Sequence, residues 1–188
     1  MFEHLGKWYI TYHASLIEED IGVKAGYRSV NIDDLTFNPD GSIAVLTGTK
    51  EGVAQLKNYD PYKLSSFSTM SHQAGCTVVP ADDTAAKFGS GNFNLQVNAS
   101  GSWIGLTNVD FGSAGASTIT FTAKNTSSCT VALRAGSPDS DDLAFVTFDA
   151  ASDFTERKLV LDKALCGVNS IFFVFDAEDA VLKSWKAE

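Results

Sequence analysis

What most constrains this chain is a recurrence of short segments in which apolar and polar residues alternate, each closed by a cluster of Gly, Asn, Asp or Ser. Residues 7–13 (KWYITYH), 27–37, 42–47, 77–79, 102–111 (SWIGLTNVDF), 117–123 (STITFTA), 130–135, 143–149, 157–162 and 170–176 (SIFFVFD) carry it. Period-two alternation rich in β-branched and aromatic residues marks a strand with one buried face. NPDGS at 38–42 shows the turn chemistry between strands, with Pro39 fixing φ and Gly41 free to take a positive one. EGVAQL at 51–56, the one stretch with a helical period, is too short to count as a helix. The chain therefore reads as all-β. Turn signals about every 8–12 residues in its later part suit a β-sandwich of roughly nine strands in two sheets. Ile104, Leu106, Ile119, Phe121, Val131, Leu133, Phe145, Phe172 and Val174 are its expected core-facing residues.

An extended, Pro-containing stretch at 57–76 separates this series from an N-terminal group of strands, which predicts one unit over 1–56 and another over 57–188. The first offers about three strands and a half-buried aromatic set: Trp8, Tyr9, Tyr12, Tyr27 and Phe37. Three strands alone are marginal, and they leave an edge and apolar surface exposed, so self-association through residues 1–56 is expected.

Composition narrows the partners. A formal charge of −9, with 14 basic residues that form no run, argues against nucleic acid or an anionic membrane. An apolar content of 44%, with 11% aromatic residues, is that of a globular protein. Cys76, Cys129 and Cys166 are an odd number at wide spacing and are expected to be reduced and buried. No apolar run reaches the roughly 18 residues of a membrane span, and MFEHLGKWYITYH lacks the basic and apolar regions of a signal peptide. The compartment is left open.

The histidines, His4, His13 and His72, sit in no nucleophile pattern. The carboxylates Glu18, Glu19, Asp20, Asp33, Asp34 and those of DSDD (139–142) are expected at turns or strand ends, where they would be solvated. DSDD also lacks the Gly and distal Glu of a calcium loop. Trp103 differs in kind. On strand parity it points with Gly105 and away from Ile104 and Leu106, so if those two face the core the indole faces out. A rigid ring of this kind can stack on the C–H face of a sugar or pack under a loop.

GSWIGLTNVDFG (101–112) resembles the corresponding stretch of family 6 carbohydrate-binding modules, and VALRAGSPDSDDLAFVTF followed by GVNSIFFVFDAEDAVLKSW resembles their later strands. MFEHLGKWYITYH, GYRSVNIDDLTFNPDGSI and EGVAQLKNYDPYK are similar to the end of a family 43 glycoside hydrolase, a five-bladed propeller enzyme acting on arabinan, xylan and arabinoxylan. The resemblance implies a jelly-roll sandwich of the galactose-binding type over 57–188, preceded over 1–56 by a remnant of the propeller's last blade. It also implies that the chain is not an enzyme, because that family's catalytic carboxylates lie on earlier blades and Glu3, Asp33 and Asp34 match none of them.

The resemblance further implies a cleft in which Trp103 and Phe154 would face each other across a sugar. Val181 stands where the family carries a sugar-binding Asn. The family's structural calcium is expected to be lost, since Ser66, Ser68 and Lys183 stand at the positions of its acidic ligands; no metal or cofactor is expected. The function so implied is a non-catalytic module with weak or degenerate affinity for plant cell-wall polysaccharide such as xylan or arabinan. The alternatives are one piece of a split family 43 hydrolase completed by another chain, or a structural sandwich with no ligand. The family is typically extracellular.

Overall fold

The computed structural model describes residues 1–15, 26, 28–49, 52–89 and 91–188; Glu18, Glu19, Asp20 and Tyr27 lie outside the described residues. Two compact units divide the chain, Met1–Leu56 and Lys57–Glu188.

In the first unit β1 (Phe2–His4), β2 (Lys7–Ala14) and β3 (Ser29–Leu35) form one antiparallel sheet in that order. The β1–β2 connection is a two-residue hairpin in which Leu5 and Gly6 both take positive φ, the turn that matches strand twist. The turn at 38–42 closes as its residues dictate: Gly41 N–H donates to the Asn38 carbonyl at 2.9 Å, with φ at +85°. Residues 42–47 contribute only a bridge between Phe37 and Ile43, where the alternation predicts a strand. Asp33 also departs from expectation. It is 3% exposed, inside β3, and its carboxylate accepts from Tyr12 Oη at 2.5 Å, from the Thr49 N–H at 3.2 Å and from the Thr49 hydroxyl. The Thr49 hydroxyl and then that of Tyr12 hold the carboxyl below its usual range. The same bond to Asp33 raises the Tyr12 phenol. This carboxylate ties β2, β3 and the 49 region together.

The second unit is a sandwich. One sheet has the order β11-β10-β13-β8-β5, built from β5 (His72–Ala74), β8 (Ser102–Asp110), β10 (Cys129–Ala135), β11 (Asp142–Phe148) and β13 (Val168–Asp176). The other has the order β12-β9-β14-β7-β6, from β6 (Cys76–Pro80), β7 (Phe93–Val97), β9 (Ala116–Asn125), β12 (Ala151–Leu165) and β14 (Val181–Ala187), with β4 (Ser65–Ser66) paired to β14. Between the sheets lies one apolar core. At its centre Phe67 meets Phe173, Phe175 and Phe121 edge-on at 5.0, 6.4 and 6.2 Å, the geometry that ring quadrupoles favour. Ile104, Leu106, Ile119, Phe121, Val131 and Leu133 all face this core.

Three expected core residues do not. Phe145 is 66% exposed, Val174 is half-buried, and Phe172, although buried, lies outside the core cluster. Ala144, Val146 and Phe148 point inward from β11, and Ile171, Phe173 and Phe175 from β13. Both strands are apolar at successive positions, so alternation could not choose their inward face; pairing within the sheet did. Of the cysteines only Cys129 is buried; Cys76 is half-buried and Cys166 exposed. Burial pushes the Cys129 thiol up to about 12 and the Cys76 thiol to about 11. A short helix, α1 (Asp83–Phe88), is too brief to leave a periodic signal; Asp82 caps it by accepting from the Ala85 N–H at 2.8 Å.

Candidate functional site

Strand register arranges the outer face of the five-stranded sheet in two rows. Ala74, Trp103, Val174, Ala132 and Phe145 stand side by side across all five strands. Beside them, one pair further along, run His72, Gly105, Phe172, Arg134 and Asp142. The first row is apolar throughout; the second carries the polar groups. Trp103 is half-exposed, as parity predicts. Its ring is braced by Phe172 at 5.6 Å and 69°. Phe172 can lie there because Gly105 has no side chain: a Cβ would come within 2.6 Å of the ring. Next to it Arg134 Nε donates to Asp142 at 2.7 Å, and a second guanidinium nitrogen donates to the Pro138 carbonyl. The result is a flat apolar strip flanked by a fixed guanidinium–carboxylate pair.

Phe154 is elsewhere. It projects from β12 of the other sheet, and Lys124 Nζ and Lys183 Nζ lie 5.1 and 5.8 Å from its ring centre. Trp103 and Phe154 therefore belong to the outer sides of different sheets and do not form two walls of one cleft. Val181 sits on the sheet of Phe154, opposite Lys124. An alignment of short motifs gives the order of positions along a chain, whereas a facing pair depends on how the two sheets fold over each other.

The cavity next to Phe154, about 610 Å³, is lined by Ser66, Ser68, Asp82, Asn92 and Lys183 among others. It brings together Ser66, Ser68 and Lys183, the three residues that the resemblance places where calcium ligands would stand. Ser66 Oγ lies 2.7 Å from Ser68 Oγ and 3.1 Å from the Phe93 carbonyl. Neutral hydroxyls already engaged with each other, facing a lysine, do not fit a hard dication that wants several anionic oxygens. Asp82, the one carboxylate named there, spends its oxygens on the Ala85 N–H and on Asn92 Nδ2 at 3.0 Å. A third concavity, where the loops before β8, β10 and β14 meet, holds Ser100, Ser127, Asp176, Glu178 and Asp179 and no aromatic ring.

Sequence reasoning gave Trp103 its outward orientation and did not see Phe172 as its brace, nor Phe145, Arg134, Asp142 and His72 on the same sheet face. Gly105 beside an outward Trp was the one local sign that something large crosses the strand there.

The two sheets and their shared core define a β-sandwich domain, with the partly exposed Trp103 on the outer face of one sheet. The family model for carbohydrate binding module (family 6) matches residues 68–186, and the chain belongs to that family. Arabinoxylan arabinofuranohydrolase of Paenibacillus polymyxa is 38% identical over 119 residues, 63% of this chain and 18% of that one. The enzyme of the same name from Bacillus subtilis is 28% identical over 179 residues, 93% of this chain and 34% of the relative. This chain thus spans well under half the length of either. The crystal structure of a Bacillus subtilis glycoside hydrolase family 43 arabinoxylan arabinofuranohydrolase in complex with cellotetraose superimposes with a TM-score of 0.85 at 25% identity, covering 99% of this chain and 39% of that one. A family 6 module from Clostridium stercorarium in complex with cellobiose shares the fold, with a TM-score of 0.62 at 14% identity over 71% of this chain and 98% of that one.

Proposed function

We propose that residues 57–188 form a non-catalytic module that holds a neutral polysaccharide of the xylan or arabinan type on the outer face of the five-stranded sheet, with Trp103 as the stacking ring. The observation that carries this reading is the pair of rows: a strip of Trp103, Val174 and Phe145 for sugar C–H faces, beside Arg134, Asp142 and His72 for hydroxyls. Family membership and the arabinoxylan-acting relatives support it. Affinity is low, in the millimolar range, or about −4 kcal/mol. One braced ring contributes about 1 kcal/mol, and Arg134 and Asp142 are already bonded to each other. Titration of xylo- and arabino-oligosaccharides with tryptophan fluorescence tests this: Trp103→Ala abolishes binding and keeps the fold. Undiminished binding by a folded Trp103→Ala variant overturns it. The purified chain is expected to release no arabinose or xylose from arabinoxylan, because the module it resembles is non-catalytic; release above a mock preparation would overturn this.

A second reading concerns residues 1–56, where Phe2, Trp8 and Phe37 are about two-fifths exposed and Val45 is 99% exposed. We infer that this unit is part of a propeller's last blade and that its apolar surface is covered by the other blades of such a propeller or by self-association. A monomer at high concentration, by light scattering, and no complex with a polypeptide carrying those blades would overturn it.

A further inference from the structure

We propose that the free edge of β11 is an interface between two copies of this chain, paired as antiparallel strands so that their five-stranded sheets join into one continuous sheet. The edges of the sandwich are not equally protected. At the far edge of the same sheet β5 is only three residues long. In the other sheet β6 ends in Pro80, while β12 carries Glu156, Lys158, Asp162 and Lys163 and breaks register with β9 at 151–155 and 160–165. Short length, proline, charge and bulges are the devices that keep an edge from accepting another strand. Residues 143–148 of β11 (LAFVTF) contain no charge, proline or glycine, and the one irregularity against β10 is confined to the Asp142 end. Among the described residues β11 pairs with β10 alone, which leaves its other side open.

Parity selects a second copy as the occupant. A two-fold axis that sets antiparallel strands edge to edge stands perpendicular to the sheet, so the outward residues of one copy meet the outward residues of the other. Here those are Phe145, 66% exposed, and Thr147. Phe145 also ends the apolar row of Ala74, Trp103, Val174 and Ala132, and the axis continues that row into its own image. The Phe145 rings of the two copies come opposite or diagonal to each other, within reach of an aromatic cross-strand pair. The charge nearest the seam, Asp142, is already bonded to Arg134 at 2.7 Å. A seam one strand long falls below the area of a stable interface, so association is weak, in the high micromolar to millimolar range. Each copy carries a formal charge of −9, so added salt strengthens it. The dimer does not depend on the sugar reading, but its consequence does: two Trp103 platforms share one face, roughly 34 Å apart at about 4.8 Å per strand, where one polysaccharide chain can reach both.

The test is sedimentation velocity of the full chain from micromolar to millimolar concentration, with residue-resolved hydrogen exchange at both ends of the range. A reversible monomer–dimer equilibrium that strengthens with salt is expected, with protection gained on dimerisation at the amides of 143–148. Phe145→Lys and Thr147→Lys, each at an exposed side chain, should weaken dimerisation about tenfold or more, because each sets two like charges across the seam. Val30→Lys and Val45→Lys, at positions 72% and 99% exposed in the first unit, should leave it unchanged. Trp103→Ala should also keep the dimer, so this proposal and the sugar reading fail separately. A monomer throughout the range overturns the proposal. So does a dimer that survives both lysine substitutions in β11, or one whose protection falls on β1 to β3, which would assign the contact to the first unit instead.

Discussion

Trp103 and Phe154 hold comparable positions, each a partly exposed aromatic on the outer side of a sheet, yet their surroundings assign them different chemistry. Around Trp103 the neighbours in register are Ala74 and Val174, both small enough to leave the indole face open, and Phe172 fixes it from the edge. Around Phe154 the neighbours are long and cationic, and two ammonium groups approach the ring. An open ring offers its face to sugar C–H groups; a ring attended by cations serves to hold them in place. Exposure alone does not make a stacking platform: the size and charge of the flanking side chains decide it.

Substitutions can break or sharpen this contrast. The largest effect is expected from Phe67→Ala, which removes the ring that touches aromatic residues of both sheets; a loss of about 3–5 kcal/mol in denaturant unfolding would abolish both faces together. A loss under about 1 kcal/mol would mean that the sheets hold their geometry without that contact. Next comes the direct comparison of Trp103→Ala with Phe154→Ala on a neutral oligosaccharide. The first is expected to weaken binding about tenfold or more, an amount that corresponds to roughly 1.4 kcal/mol. The second should leave it unchanged. Equal losses would mean that the two rings share one ligand after all.

Gly105→Val probes how the platform is made. A side chain there displaces the Phe172 ring, so affinity should fall severalfold and stability by about 1–3 kcal/mol, the usual range for overpacking. Retained affinity would show that Trp103 needs no brace. The smallest expected effect concerns the other face. We propose that the sandwich folds without calcium, because Ser66, Ser68 and Lys183 offer no anionic oxygen and Asp82, the carboxylate lining the cavity near Phe154, is already bonded to the Ala85 N–H and Asn92. EDTA should therefore leave the thermal midpoint where it was, whereas a calcium-reversible rise of several degrees would place the ion in this cavity by mass action.

Much of the fold was legible because half-buried strands alternate. Residues 7–13, 117–123 and 130–135 map onto β2, β9 and β10 within a residue or two, and the inward sets of β9 and β10 are as parity requires. Reading failed where alternation carries no information. SIFFVFD is apolar at almost every position, so Phe172 and Val174 could be assigned to the wrong face, and LAFVTF misplaced Phe145 for the same reason. Strand β5 and the short helix α1, three and six residues long, offered too few residues for any period to emerge. Asp33 looked like a solvated strand-end carboxylate because its partners, Tyr12 and Thr49, are 21 and 16 residues away in sequence.

For the candidate site the division follows range of interaction. The outward orientation of Trp103 depends on neighbours one and two residues away, and local alternation suffices to determine it. The convergence of Ser66, Ser68 and Lys183 followed from family resemblance, which carries tertiary information indirectly. What sits beside each ring depends on pairings between strands far apart in the chain, and a shift of one residue moves a side chain to the opposite face. Tertiary structure alone therefore decided that Phe172 braces Trp103, with Arg134 and Asp142 further along the row of Phe172, and that Phe154 belongs with two lysines on the other sheet.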